Sequence, residues 1–335
     1  MARVFSGIQP TGDIHLGNYL GALRFWVSEQ HQYECFFSMV DLHAITSPQT
    51  PAELRAKTLD TAAILLAIGI DPLASTLFVQ SHVREHADLA WVLNCLTTLG
   101  ELRRMTQFKD KASREREIHT SAGLFVYPVL QAADILLYQA DRVVVGEDQR
   151  QHLELARTLA GRFNHRFGRA FNLPEAVIPK MGARIMDLQD PRRKMSKSSA
   201  SQRGAIRLAD RPEIIQDKIR SAVTDSGREI IASADKPAIT NLLTIYSTLT
   251  GEDLPVVEAA FARSSYEQFK AALADALIEA LRPIRERYLR WVNSPDEVVR
   301  WLQAGASRAT TIASATLNVV YEHMGFLQRQ TIASR

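Results

Sequence analysis

The sequence predicts an α/β protein: a doubly wound parallel sheet over residues 1–190, then an all-α domain over residues 191–335. Two patterns carry this. Up to about residue 190, short β-like runs alternate with amphipathic stretches, the mark of βαβ units whose sheet has helices on both faces. Beyond it the strand-like runs stop and the periodicity is helical. The chain has 335 residues, 46% hydrophobic and 23% charged, enough for two cores and unlike a disordered or fibrous protein.

In order, strands are expected at 3–6, 34–40, 76–80 and 142–145, with amphipathic helices at 16–30, 51–69, 85–99, 125–140 and 148–163. The second half predicts helices at 211–223, 236–250, 255–262, 266–292, 295–304 and 307–324, with Asp253-Leu-Pro255 and Ser294-Pro295 as turns and helix starts. Parallel sheets bind ligands at the C-terminal ends of their strands, so the loops after Ser6, Val40 and Val145 are the places for a site.

The longest apolar run, 61–70, is about half of a bilayer span, so no membrane crossing is expected. Met1-Ala2-Arg3-Val4-Phe5 enters the first strand with no leader-like segment, which predicts a cytoplasmic protein. Cys35 and Cys95 are too few for a cysteine zinc site and are expected to be reduced and buried. The net charge of +3 hides a patch: residues 180–220 carry eleven Lys/Arg against five Asp/Glu, leaving the rest of the chain slightly acidic.

Four segments could carry chemistry. Ser6-Gly-Ile-Gln9-Pro10-Thr11-Gly-Asp-Ile-His15-Leu-Gly17-Asn18 leaves a strand and enters a helix, where open N–H groups and the helix dipole suit a phosphate. It fits neither dinucleotide nor Walker-type glycine spacing, and a tight strand-to-helix turn packed on glycine explains it equally. Arg192-Arg-Lys194-Met195-Ser196-Lys197-Ser198 places lysines on a polar loop that could fold over developing negative charge, or simply be a solvated linker.

Val145-Gly146-Glu147-Asp148-Gln149 ends a strand with acidic and amide groups suited to ribose hydroxyls, or to N-capping. In Tyr127-Pro-Val-Leu-Gln131-Ala-Ala-Asp134-Ile135-Leu-Leu-Tyr138, the residues Tyr127, Gln131, Asp134 and Tyr138 share one stripe of an otherwise apolar helix. A buried Asp134 needs a donor, either a ligand N–H or a structural Arg. His82-Val-Arg-Glu-His86 matches the inverted zinc-protease pattern, but with no third ligand a polar first helical turn is preferred and no protein-held metal is expected. Asp41-Leu-His43 could line the same crevice.

Together, His15-Leu-Gly-Asn18 and Lys194-Met-Ser-Lys-Ser198 resemble the two signatures of class I aminoacyl-tRNA synthetases. Phe5-Ser-Gly-Ile-Gln-Pro10, Gly100–Lys109, Tyr127–Tyr138, Val145–Gln149 and Ala222-Val-Thr-Asp-Ser226 are closer still to the bacterial and mitochondrial tryptophanyl-tRNA synthetase family. The tyrosyl family usually has Gly-Ser-Asp-Gln where this chain has Gly146-Glu-Asp-Gln149.

The resemblance implies a Rossmann catalytic domain with a helical tRNA anticodon-binding domain, a homodimer, and activation of L-tryptophan by ATP and Mg²⁺ before transfer to tRNA(Trp). By motif, Gln9, Pro10, Thr11, His15, Gly17 and Asn18 would hold ATP, together with Gly146, Glu147, Asp148, Gln149 and Ile185. The loop residues Lys194, Met195, Ser196, Lys197 and Ser198 would join them, and Lys111, Lys194, Lys197 and Gln9 would act at the phosphates. Asp134 would accept the indole N–H, with Phe5, Gly7, Val40, His43, Tyr127, Gln131, Ile135, Val143 and Val145 around the amino acid.

Two positions depart from the family pattern: His15 stands where many members have Thr, and Gln131 where many bacterial members have Met. Two rival readings are a nucleotidylyl transferase that uses no tRNA and an RNA-binding paralogue without catalysis. The helical half counts against the first; the intact lysine loop and Asp134 count against the second.

Overall fold

The computed structural model describes residues 1–105, 121–144, 146, 149–177, 184–196 and 203–327. Five parallel strands, β1 (Arg3–Ile8), β2 (Glu34–Met39), β3 (Thr76–Val79), β4 (Arg142–Val144) and β5 (Glu175–Val177), lie in the order β3-β2-β1-β4-β5. β1 and β2 run in register from Arg3 opposite Glu34 to Ile8 opposite Met39. Cys35–Met39 of β2 are all buried, because a parallel sheet covered on both faces shows no polar alternation. β5 was not expected: three residues, two of them exposed, leave no pattern to read. The chain winds outward from β1 in both directions, so β1 and β4 flank the switch point where such sheets form a crevice.

In the first half the helices are α1 (Leu16–Asn18), α2 (Arg24–Glu29), α3 (Asp41–Ala44), α4 (Pro51–Ile68), α5 (Glu85–Asn94), α6 (Leu99–Arg103), α7 (Ala122–Leu136) and α8 (Arg150–Phe167). A π turn, Tyr19–Leu23, separates α1 from α2, so the helix expected over 16–30 is wound as α, then π, then α. α4 starts on a Thr50/Glu53 capping box with Pro51 in its first turn and ends at Gly69, whose φ of 111° only glycine adopts readily. The expected helix over 85–99 divides because Thr98 caps a new one, with Glu101 closing the capping box.

The second half contributes α9 (Pro212–Arg220), α10 (Pro237–Thr250), α11 (Leu254–Phe261), α12 (Tyr266–Val292) and α13 (Pro295–Met324). α13 is one helix of 30 residues where two were expected. Gly305, the apparent break, is a contact point: a Cβ there would stand 1.9 Å from the Leu77 carbonyl oxygen of β3. α12 packs on α4 and α13 on β3 and α5. Arg287 Nε donates to the Ala67 carbonyl at 2.6 Å, and Arg308 donates to those of Pro72 and Ser75 at 2.7 and 3.0 Å. Both apolar clusters draw on both halves: Phe37 and Leu65 share one with Phe269 and Leu277, while Phe78 and Tyr138 share the other with Ala309 and Leu317.

Cys35 is buried, and burial with nearby Glu29 pushes its thiol up to about 12. Cys95, expected to be buried, is exposed because it follows the solvent side of α5. Part of the basic surplus of 180–220 is consumed internally. Lys218 is buried, with Asp210 at 2.6 Å and the Ala205 carbonyl at 2.8 Å, while Arg207 pairs with Asp13 at 2.8 Å. Among the described residues, no helix is long and apolar enough to cross a membrane.

Candidate active site

A cavity of about 430 Å³ opens at the C-terminal ends of β1 and β4, a size suited to a small organic ligand. Of the residues expected around the amino acid, Phe5, Gly7, Val40, His43, Tyr127, Gln131, Asp134, Ile135 and Val143 all line it; of those expected at the nucleotide, Gln9, Gly146 and Gln149 do. Val145, Glu147, Asp148, Lys111, Lys197 and Ser198 lie outside the described residues. Ser6, Ala22, Trp26 and Val144 also line the cavity and were not singled out from sequence. Ala22 and Trp26 reach it from the π turn and α2, a local geometry that the residue pattern does not announce.

Asp134, in α7, is 1% exposed. Its partners within the protein do not include an Arg; one, His43, lies in the strand-end segment Asp41-Leu-His43 singled out from sequence, and two, Gln80 and His86, do not. His43 Nε2 reaches Oδ2 at 2.8 Å, Gln80 Nε2 donates to Oδ1 at 2.6 Å, and His86 Nδ1 reaches Oδ1 at 2.6 Å. Burial opposes ionisation, but the electrostatic attraction of His43 and the hydrogen bonds from His43 and His86 outweigh it and hold the carboxyl below its ordinary range. A carboxylate offers about four lone-pair positions. Among the described residues three are taken, two on Oδ1 and one on Oδ2, and Asp134 also lines the cavity.

Gln80 follows β3 and is fully buried, a strand end that the sequence reading passed over. His86 sits in the segment read as a polar helical turn. The turn is there, opening α5 at Glu85, but it is not solvated: His86 is fully buried, and both ring nitrogens are engaged, Nδ1 by Asp134 and Nε2 by the Tyr138 hydroxyl at 2.8 Å. His82 is exposed, so the two histidines do not converge on a common point. Nearby, Tyr127 Oη lies 2.8 Å from His152 Nε2, and Gln131 Nε2 donates to Gln149 Oε1 at 3.3 Å across the cavity.

The two signature segments are adjacent. Leu16 N–H donates to Ile206 O at 2.8 Å and Leu208 N–H to Ile14 O at 3.1 Å, fixing the first loop against the chain that follows the lysine loop. Gly12 turns that loop with φ 63°, and Asp13 receives both Lys57 and Arg207. His15 and Asn18 form a reciprocal cap, Asn18 N–H donating to His15 Nδ1 at 3.3 Å and His15 N–H to Asn18 Oδ1 at 3.2 Å. Those donors are therefore engaged within the turn.

At Gly17, a Cβ would come within 3.1 Å of His15 Nδ1 and 3.5 Å of Met195 Cβ, so glycine lets the second signature pack on the first. Met195 N–H donates to Ile185 O at 3.0 Å; both side chains are buried in the core and away from the cavity lining. Pro10 is buried and Thr11 half-buried at the loop's turn, Lys194 is exposed, and Ser196 is half-buried.

A family model described as tRNA synthetases class I (W and Y) matches residues 1–282. Tryptophan–tRNA ligase 2 of Streptomyces avermitilis is 54% identical over 327 residues, covering 97% of each chain. The crystal structure of tryptophanyl-tRNA synthetase from Mycoplasma pneumoniae superposes with a TM-score of 0.89 at 41% identity, covering 99% of this chain and all of that one. The Campylobacter jejuni enzyme, solved with ADP and tryptophan, gives 0.84 at 33% identity over 97% of this chain.

Proposed function

This chain belongs to the class I tRNA synthetases of the W and Y type, and from that premise we infer that it is a tryptophan–tRNA ligase. The observation that carries the choice of tryptophan is Asp134, a buried and ionised acceptor that lines the cavity and, among the described residues, has three hydrogen-bond partners for about four acceptor positions. A substrate that enters without an N–H leaves that acceptor unpaired, a loss that such sites turn into several powers of ten of discrimination.

The reaction needs no protein nucleophile. A carboxylate oxygen of tryptophan attacks the α-phosphorus of ATP; that P–O bond forms as the bond to the bridging oxygen of pyrophosphate breaks, and pyrophosphate leaves. A hydroxyl of the terminal adenosine of tRNA(Trp) then attacks the tryptophanyl carbonyl and AMP departs. The protein's part is positioning and charge stabilisation. Gln9, Gly146 and Gln149 share the cavity with the amino-acid residues, which supports their assignment to the nucleotide side. Lys194 stands exposed beside the paired signatures and is assigned to the phosphates with Lys111 and Lys197.

Mg²⁺ belongs to this proposal as a partner of the ATP phosphates, whose oxygens are the hard ligands that ion prefers. Residues 191–335 are assigned to the lysine loop and the tRNA anticodon domain, and a cytoplasmic setting goes with a tRNA substrate. A homodimer is supported by Trp91 and Leu99, 72% and 65% exposed, with Cys95 between them. Sedimentation should return about twice the 37.5 kDa chain mass; a monomer at micromolar concentration would remove the dimer.

ATP–pyrophosphate exchange across a panel of amino acids tests the activity. Exchange dependent on tryptophan is expected. Exchange without any amino acid would sink the reading, and exchange with tyrosine alone would move the chain to the sister specificity.

A further inference from the structure

Behind the cavity wall, Asp134 is the end of a buried hydrogen-bond chain that the reaction itself does not touch. Tyr138, His86 and Gln80 are all fully buried. The chain has a fixed direction. Among the described residues, the hydrogen-bond partner of the Tyr138 hydroxyl is His86 Nε2, and a buried O–H without an acceptor is costly. Burial near Asp134 and Glu85 pushes the Tyr138 phenol far above its ordinary range, so it keeps its proton and donates it. His86 Nε2 therefore accepts, which leaves the ring's proton on Nδ1, aimed at Asp134 Oδ1.

Gln80 donates to the same oxygen and also accepts from Leu42 N–H at 3.1 Å, which fixes the orientation of its amide. Oδ1 is thus clamped by two donors held from different elements, and the carboxylate plane cannot turn. That leaves Oδ2, already bonded by His43, as the oxygen with room for a donor from the cavity.

We propose that Tyr138 and His86 are positioning residues for amino-acid selection: Tyr138 sets the tautomer of His86, and His86 with Gln80 holds Asp134 so that one Oδ2 lone pair faces the indole N–H. The proposal rests on tryptophan being the substrate. It explains a phenol placed one helical turn beyond Asp134 yet behind the cavity, with its ring stacked on Phe36 and Phe5 at centroid distances of 4.7 and 5.5 Å. The ring stacking alone would be served by Phe.

The test compares tryptophan with its benzothienyl analogue, in which sulfur replaces the indole N–H, by ATP–pyrophosphate exchange in the full-length protein. Wild type should favour tryptophan in kcat/KM by about tenfold or more, the worth of one hydrogen bond to a charged acceptor. Tyr138→Phe, which keeps the stacked ring, and His86→Leu should raise KM for tryptophan and leave kcat within about twofold. With the analogue unaffected, the preference should collapse toward one. His86→Asn, whose amide can occupy the Nδ1 position, should restore most of it.

Equal losses for both amino acids in the variants would mean that the pair only supports packing and would overturn the proposal, as would an undiminished preference. A wild type active with tryptophan but indifferent to the analogue would overturn it too. Absence of tryptophan-dependent exchange in wild type would instead sink the activity on which the proposal rests.

Discussion

The contact between α13 and the sheet permits a test in which one chemical change has opposite effects at two sites. At Gly305 a methyl group would stand 1.9 Å from the carbonyl oxygen and 2.7 Å from the carbonyl carbon of Leu77. An unstrained carbon–oxygen approach is about 3.3 Å, so helix and strand must part by more than ~1 Å. Both partners are backbone, which has no rotamer to yield. Overpacking of this kind costs about 1–3 kcal/mol, and the upper end applies where nothing can swing aside. Alanine returns ~1 kcal/mol of helix propensity, leaving Gly305→Ala less stable by about 2 kcal/mol.

Gly161 in α8 is the control, because a Cβ there meets nothing within 4 Å and Gly161→Ala should stabilise by up to ~1 kcal/mol. The two variants should bracket wild type in urea unfolding followed by circular dichroism. Gly305→Ala as stable as wild type, or both variants shifting in the same direction, would refute the contact.

Three further outcomes are expected. Asp134→Asn replaces part of an acceptor with N–H groups that face three donors; tryptophan activation should fall at least about tenfold and discrimination against phenylalanine should erode, whereas unchanged discrimination in exchange assays would assign indole recognition elsewhere. Glu101 accepts from Arg162 at 2.6 and 3.1 Å, and chiefly that hydrogen bonding holds its pKa down to about 2, so its stabilisation is complete above about pH 4.5 and declines toward pH 2. The gap in urea midpoint between wild type and Glu101→Gln should narrow as pH falls from 6 to 3; a constant gap would contradict the pairing. Lys218→Met strands Asp210 in a buried site and should cost about 3–5 kcal/mol, with a Lys218→Met/Asp210→Leu double variant recovering part of it; equal stability of the single variant in thermal melts would refute the burial.

Much of the site was legible because its residues lie in the motifs or strand-end loops that any such sheet uses. Gln9, Val40 and His43 follow strands, Phe5 and Gly7 lie in the C-terminal part of β1, and Asp134 stood out as a charge on an apolar helix. What the sequence concealed is how Asp134 is held. Gln80 ends an expected strand and His86 opens a polar helical turn, and nothing in one dimension marks either as buried; α5 packed on α7 encloses His86, and Gln80 is buried where the chain turns after β3. The same limit applies to Gly305, where local propensity reads a helix break and tertiary contact requires the absence of a side chain. β5 was missed because three residues with two exposed carry no period, and its pairing is decided by β4. The charge count was informative but blunt: it located the basic stretch without showing that Arg207 and Lys218 are neutralised by Asp13 and Asp210.

The order of the strands gives the sheet two unequal borders. β5 is short, with Glu175 exposed, features that discourage another strand from adding to it. β3 is fully buried and apolar from Leu77 to Val79, and its guard, α13, is encoded more than two hundred residues later. At synthesis rates of about 5–20 residues per second, the emerging sheet waits on the order of tens of seconds for that helix. In the interval Thr76–Val79 is an uncovered template for a second nascent chain, so a ribosome that stalls before Pro295 leaves behind an aggregation seed.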